Sequence, residues 1–151
     1  MSEMQKVEDW LAALLANLEP AARTRMLREV ARDVRRIQQQ NITAQRAPDG
    51  SAWEPRRMTA RTKQGRVKRK MFTKLKTAKY LKAQANASQA EVTFTGQAQR
   101  IARVHHYGLR DQVSRGGAEV KYAVRPLLGV NDDSETTVQE ALLRWLSETA
   151  N

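Results

Sequence analysis

Residues 80–108 read YLKAQANASQAEVTFTGQAQRIARVHHYG, and the change of period inside this stretch decides the fold class. Tyr80–Ala87 is strand-like, and Ala90–Thr95 alternates as AEVTFT, with Val92 and Phe94 on one face. Ser88-Gln89 between them sets up a hairpin. From Gln97 the period lengthens, and Ala98, Ile101 and Val104 take helical spacing. This helix runs to Tyr107 and closes at Gly108, a residue that enters the left-handed backbone of a helix end without steric cost. Strands adjacent in sequence, followed directly by a helix, point to an α+β domain.

On the C-terminal side, 109–118 is polar and holds the Gly116-Gly117 turn. Glu119–Val124 alternates again, with Val120, Tyr122 and Val124 on one side, and predicts a third strand. Arg125-Pro126-Leu127-Leu128-Gly129 breaks it. A last helix follows, with Asp132, Asp133 and Ser134 offering caps near its positive end. Val138, Leu142, Trp145 and Leu146 form its apolar face.

On the N-terminal side, residues 3–18 carry Val7, Trp10, Leu11, Leu14, Leu15 and Leu18 in one helical stripe. Ser2 with Gln5 resembles a capping box. Pro20 ends this run and opens a second helix reaching to about residue 45. The second stripe is Met26, Leu27, Val30, Val34 and Ile37, with arginines over the remaining surface. Gln38–Asn41 is polar all round and predicts where this helix leaves the core. Ala47–Ser51 is a turn by composition, structure resumes at Met71, and Phe72 and Leu75, extended to Tyr80 and Leu81, suit a short helix. The expected architecture is one domain, 1–151, with a helical hairpin and a C-terminal helix packed on a small antiparallel or mixed sheet.

Charge is unevenly spread. Arg46–Lys82 holds thirteen Lys/Arg against Asp49 and Glu54, whereas the rest of the chain carries equal numbers of bases and acids. Within it, residues 56–70 form a basic loop with almost no apolar side chains and no period: Arg56, Arg57, Arg61, Lys63, Arg66, Lys68, Arg69 and Lys70. Loops of this length in a compact domain are functional or disordered. Three readings stay open: a solvated surface loop, a phosphate contact to nucleic acid, and an arm that orders against an acidic protein neighbour. The segment has no recognition helix, and scarce aromatics weaken a stacking platform, so a nucleic-acid contact would be without sequence choice.

No residue set for catalysis emerges. With no cysteine, thiolate chemistry and disulfides are excluded. Adjacent His105 and His106 point about 100° apart on a helix, which suits a structural or interface role better than a shared metal. Asp132, Asp133 and Glu135 read as helix-start acids rather than a magnesium site, and the glycines of RGGAE precede a strand instead of a phosphate-binding helix. No cofactor is expected. The acidic start and the lack of an apolar run of about 18 residues argue against a signal peptide or a membrane span. They argue for a soluble protein made and kept in a cytoplasm, or one that enters an assembly directly.

The stretch Arg100-Ile101-Ala102-Arg103-Val104-His105-His106-Tyr107-Gly108 and the later Arg125-Pro126-Leu127-Leu128-Gly129 resemble a phage signature. Together with Pro48-Asp49-Gly50, Trp53, the opening EDWLAALLANL and the closing LLRWL, they resemble the phage virion morphogenesis, or tail completion, family over nearly the whole chain. That resemblance implies a structural virion protein, not an enzyme, acting at the head-proximal end of the tail. It implies a fold like tail-terminator and neck proteins, and assembly as a homo-oligomeric ring, often sixfold. The implied partners are tail tube or tail terminator proteins, head–neck connector proteins and, non-specifically, packaged DNA. His105, His106, Tyr107 and Gly108 would end a helix and set a turn. Arg125 and Pro126 would lock a strand exit, Leu127 and Leu128 would pack on the last helix, and Gly129 closes the signature. Arg46–Lys82 then becomes an assembly arm in the neck of the virion. The rival is a non-specific DNA-binding protein using residues 46–82.

Overall fold

A computed structural model describes residues 2–16, 19–56, 70–112 and 116–150, with side chains at all of these except 10–16 and 148–150. The order is α1 (Glu3–Ala16), α2 (Pro20–Thr43), β1 (Leu81–Ala85), β2 (Ala90–Phe94), α3 (Gln97–Tyr107), β3 (Arg110–Gln112), β4 (Glu119–Lys121) and α4 (Asp132–Ala150). The fold is α+β, and both sheets are antiparallel two-stranded ribbons, β1–β2 and β3–β4. The antiparallel alternative therefore holds, but the strand after Gly117 does not join the first hairpin. It pairs with the polar segment Arg110-Asp111-Gln112, which the sequence pattern assigns to a turn region.

Helix α2 is the spine: it packs on β1, β2 and α4. Pro20 stands at its first turn, where the missing amide costs nothing. Its buried face is Met26, Val30, Ala31, Gln38 and Ile42. The expected exit from the core at Gln38–Asn41 is thus wrong. Gln38 is 3% exposed and Ile42 fully buried. Gln38 Nε2 donates to Gly129 O at 2.8 Å, and Gln39 Nε2 to Lys76 O at 2.7 Å. Hydrogen bonds to carbonyls remote in sequence let polar side chains continue the apolar stripe. The stripe on α1 beyond Val7 lies outside the described side chains. Ser2 Oγ accepts from Gln5 N at 3.1 Å, but Gln5 Nε2 turns to Asp9 at 3.0 Å, so only half of the capping box forms.

The β1–β2 hairpin runs from Leu81↔Phe94 to Ala85↔Ala90. β1 stops short of Ala87 because Asn86 Oδ1 captures the amides of Ser88 and Gln89 at 2.8 and 2.9 Å. No helix forms at Met71–Tyr80. Phe72 sits at φ +64°, and the amides of Leu75, Thr77 and Tyr80 bond three residues back, as a chain of turns. Met71 and Leu75 still enter the core, with Ile42, Ala47, Trp53, Leu81, Phe94, Ala98, Ala102 and Leu127. Fully burying Ile42, Leu81 and Leu127 stabilises by about 1.5–3 kcal/mol each.

α3 has its expected bounds and ends on Gly108 at φ +66°, ψ 46°. Its buried side chains are Ala98, Ala102 and Val104, while Ile101 is 45% exposed. Val124 is likewise 61% exposed, because β4 ends at Lys121. The cap of α4 is Asn131, not the acids after it. Its Oδ1 accepts from Ser134 N at 2.8 Å while Ser134 Oγ accepts from Asn131 N at 2.9 Å. The same Asn131 reaches Pro48 O through Nδ2 at 2.7 Å, tying the 47–51 turn to α4.

Candidate assembly site at the root of the basic segment

Residues 57–69 lie outside the described residues, and with them Arg57, Arg61, Lys63, Arg66, Lys68 and Arg69. Arg56, half-buried, and Lys70, exposed, mark the two ends of the basic segment. The fold gives each end its own anchor.

The leading end is held by Arg125, which is 7% exposed. Its Nε donates to Glu54 O at 2.8 Å and its Nη2 to Pro55 O at 3.1 Å. The planar guanidinium has its donors in a fixed fork, so one side chain grips two successive carbonyls. Burial lowers the pKa of Arg125, opposed by the charge of Glu54. Beside it, Trp53 Nε1 donates to Pro126 O at 2.9 Å.

The trailing end is held by Gln45, at φ +58°, just past the end of α2. Gln45 Oε1 accepts from Met71 N at 2.8 Å, while its Nε2 donates to Met71 O at 2.9 Å and to Ile42 O at 2.7 Å. The side-chain amide thus stands in for a strand, pairing both backbone groups of Met71. Gln45 O also accepts from Trp53 N at 3.1 Å, which joins the two anchors through one residue.

The two halves of the signature meet here. Arg125 N donates to His105 O at 2.8 Å, and Leu127 N to His106 Nδ1 at 3.1 Å. A neutral His106 therefore carries its proton on Nε2. Trp53, Phe72, His105 and Tyr122 form a chain of ring contacts at centroid spacings of 5.3, 4.9 and 4.5 Å. His105 Nδ1 is buried without a hydrogen-bond partner. Burial pushes its pKa down to about 4, with Arg125 and Arg56 acting the same way and Asp111 opposing them. The Asp111 carboxyl is itself held below its usual value by the Gln112 amide and by Arg100, whose Nη2 lies 2.6 Å away.

Gly108 is required by space as well as by backbone. A Cβ there would stand 2.6 Å from Val124 Cγ2 and 3.1 Å from Tyr122 O. Tyr107 faces solvent at 63% exposure. Leu127 enters the central core around Trp53 and Ile42, whereas Leu128, Gly129 and Val138 of α4 line one groove. Among the described residues no group of three His, Cys, Asp or Glu side chains could hold a metal, and no helix is long and apolar enough to cross a membrane. Gln45 and Asn131 escape sequence reasoning, since neither has a local signal naming its distant partner.

The arrangement fixes the two ends of a cationic segment to the core, with Arg125, His105, His106 and Leu127 of the signature at that anchor. This α+β chain belongs to the phage virion morphogenesis family, whose profile matches residues 2–147. It is similar to tail completion protein S of Escherichia phage P2, with 39% identity over 148 residues, covering 97% of this chain and 99% of that protein. No solved structure matches it.

Proposed function

We propose that this chain completes the phage tail at its head-proximal end and readies it for joining to the head, as a structural part rather than an enzyme. The observation that carries this reading is the near full-length match to a protein named for tail completion. The anchored root of the basic segment supports an assembly role. Two clamps, Arg125 and Gln45, position a segment whose charge calls for an acidic partner. In this reading the chain forms a ring with itself, and the segment orders against tail tube, tail terminator or connector proteins at the neck.

The test replaces Arg57, Arg61, Lys63, Arg66, Lys68 and Arg69 together by glutamine. The expected result is an unchanged melting temperature with tails and filled heads accumulating unjoined. A normal yield of infectious particles removes the arm from the mechanism.

A second reading draws on the concentration of thirteen basic residues in Arg46–Lys82. It makes the chain a non-specific binder of duplex DNA, with affinity falling by about 0.9 log units per phosphate neutralised for each tenfold rise in salt. Absence of binding by the free protein at low salt removes it.

A further inference from the structure

A groove of about 780 Å³ runs between α2, β2 and the start of α4, lined by Leu27, Val30, Val34, Val92, Leu128 and Val138 among others. Among the described residues no side chain fills it. The chain also exposes apolar side chains at the start of α1. On α1, Met4 is 67% and Val7 51% exposed, although α1 packs on α4. The sequence continues the Val7 stripe through Leu11 and Leu14 at i+4 and i+7, the spacing of helix-in-groove anchors.

We propose that the groove receives α1 of a second copy of this chain. Length agrees: α1 has 14 residues, about 21 Å, and the α2 wall from Leu27 to Gln38 spans about 17 Å. Charge agrees as well. α1 presents the exposed acids Glu3, Glu8 and Asp9 against one base, Lys6, and none of these acids makes an ion pair among the described residues. Along the groove, Arg23 lies one turn before Leu27, and Arg35 one turn after Ala31. Both arginines are half-buried, with Nε buried and without a hydrogen-bond partner, and among the described residues neither has a carboxylate within ion-pair distance. An acidic amphipathic helix on one copy and an arginine-flanked apolar groove on the next make a head-to-tail contact. Donor and acceptor are different surfaces of the same molecule, so each added copy offers a fresh site, and the series closes into a ring or grows as a filament. This holds whichever virion proteins the assembly meets.

Because the chain has no cysteine, paired cysteines report on the contact without background. Val7→Cys and Val34→Cys are made separately, purified and mixed under mild oxidation. The expected product is a disulfide-linked dimer in the mixture that exceeds severalfold the dimer from either variant alone. When both changes are in one chain, a ladder of linked species is expected. Only internally linked monomer in that double variant overturns the proposal, because the chain's own helix then fills the groove. A dominant Val34→Cys homodimer, or no link at all, overturns it too. A second measurement is solution mass. Changing Glu3, Glu8 and Asp9 to Lys should reduce the assembly to monomer, and adding Arg23→Glu and Arg35→Glu should restore it. Unchanged mass in the first variant overturns the charge match.

Discussion

Gln45 and Met71, 26 residues apart, exchange two hydrogen bonds, Met71 N to Gln45 Oε1 at 2.8 Å and Gln45 Nε2 to Met71 O at 2.9 Å. This one side chain joins the end of α2 to the return of the basic segment. It does so from a left-handed backbone, which costs a non-glycine residue about 1–2 kcal/mol. The hydrogen bonds must outweigh that cost.

Gln45→Ala therefore keeps the backbone strain and loses the pairing. The expected loss of stability is about 1–3 kcal/mol, because the part-buried groups of Met71 are left without partners. Gln45→Gly removes the strain as well and should lose less. Urea unfolding of the two variants checks the order.

At the other anchor, Arg125→Lys keeps the charge but cannot grip Glu54 O and Pro55 O together. The expected cost is about 1.5–3 kcal/mol in urea unfolding. Cleavage by trypsin after Arg56 should also become faster in the variant at equal enzyme. An unchanged cleavage rate with lowered stability would show that Arg125 holds the core but not the segment.

Gly108→Ala combines a positive φ with a Cβ 2.6 Å from Val124 Cγ2. It should destabilise by about 1–2 kcal/mol from the backbone alone, with the clash in addition. Adding Val124→Ala should recover the part due to the Val124 methyl but not the 3.1 Å approach to Tyr122 O. Melting temperatures of the single and double variants separate the two contributions.

His105 sets a pH dependence. Burial holds it at about 4 in the folded chain against 6.5 as the ordinary value. Between these values the unfolded chain binds a proton that the folded chain refuses. Stability therefore rises with pH across this window and is lost as pH falls from about 6.5 towards 4. His105→Phe keeps a ring in contact with Phe72 and Tyr122 and has no nitrogen to leave unpartnered. Its melting temperature should fall less between pH 7 and pH 4.5 than that of the parent. An equal fall in both places the dependence on carboxylates instead.

How much of this was legible in the sequence depends on the range of each interaction. Val92 and Phe94 announce β2 by alternation, and Gly108 ends α3 at the expected residue, because strand period and helix cap are properties of a few neighbouring residues. The concentration of charge in Arg46–Lys82 is a matter of composition. The likeness of the His105–Gly108 and Arg125–Gly129 motifs to a phage family was legible too, and the family match bears it out. The geometry that joins those motifs was not. Gln38 reads as polar surface until Gly129 O is placed against it, and Phe72 reads as helical until its ring is drawn between Trp53 and His105. Arg125 is one more base in a basic chain until the fold brings it to Glu54 O, 71 residues away. Sequence alone thus determined α1 to α4, the strands β1, β2 and β4, the charge and the family, since these rest on local periodicity and residue chemistry. It misread Met71–Tyr80 as a helix and β3 as a turn. Only the tertiary structure decided which polar side chains are buried and what they hold, since that depends on carbonyls delivered from distant parts of the chain.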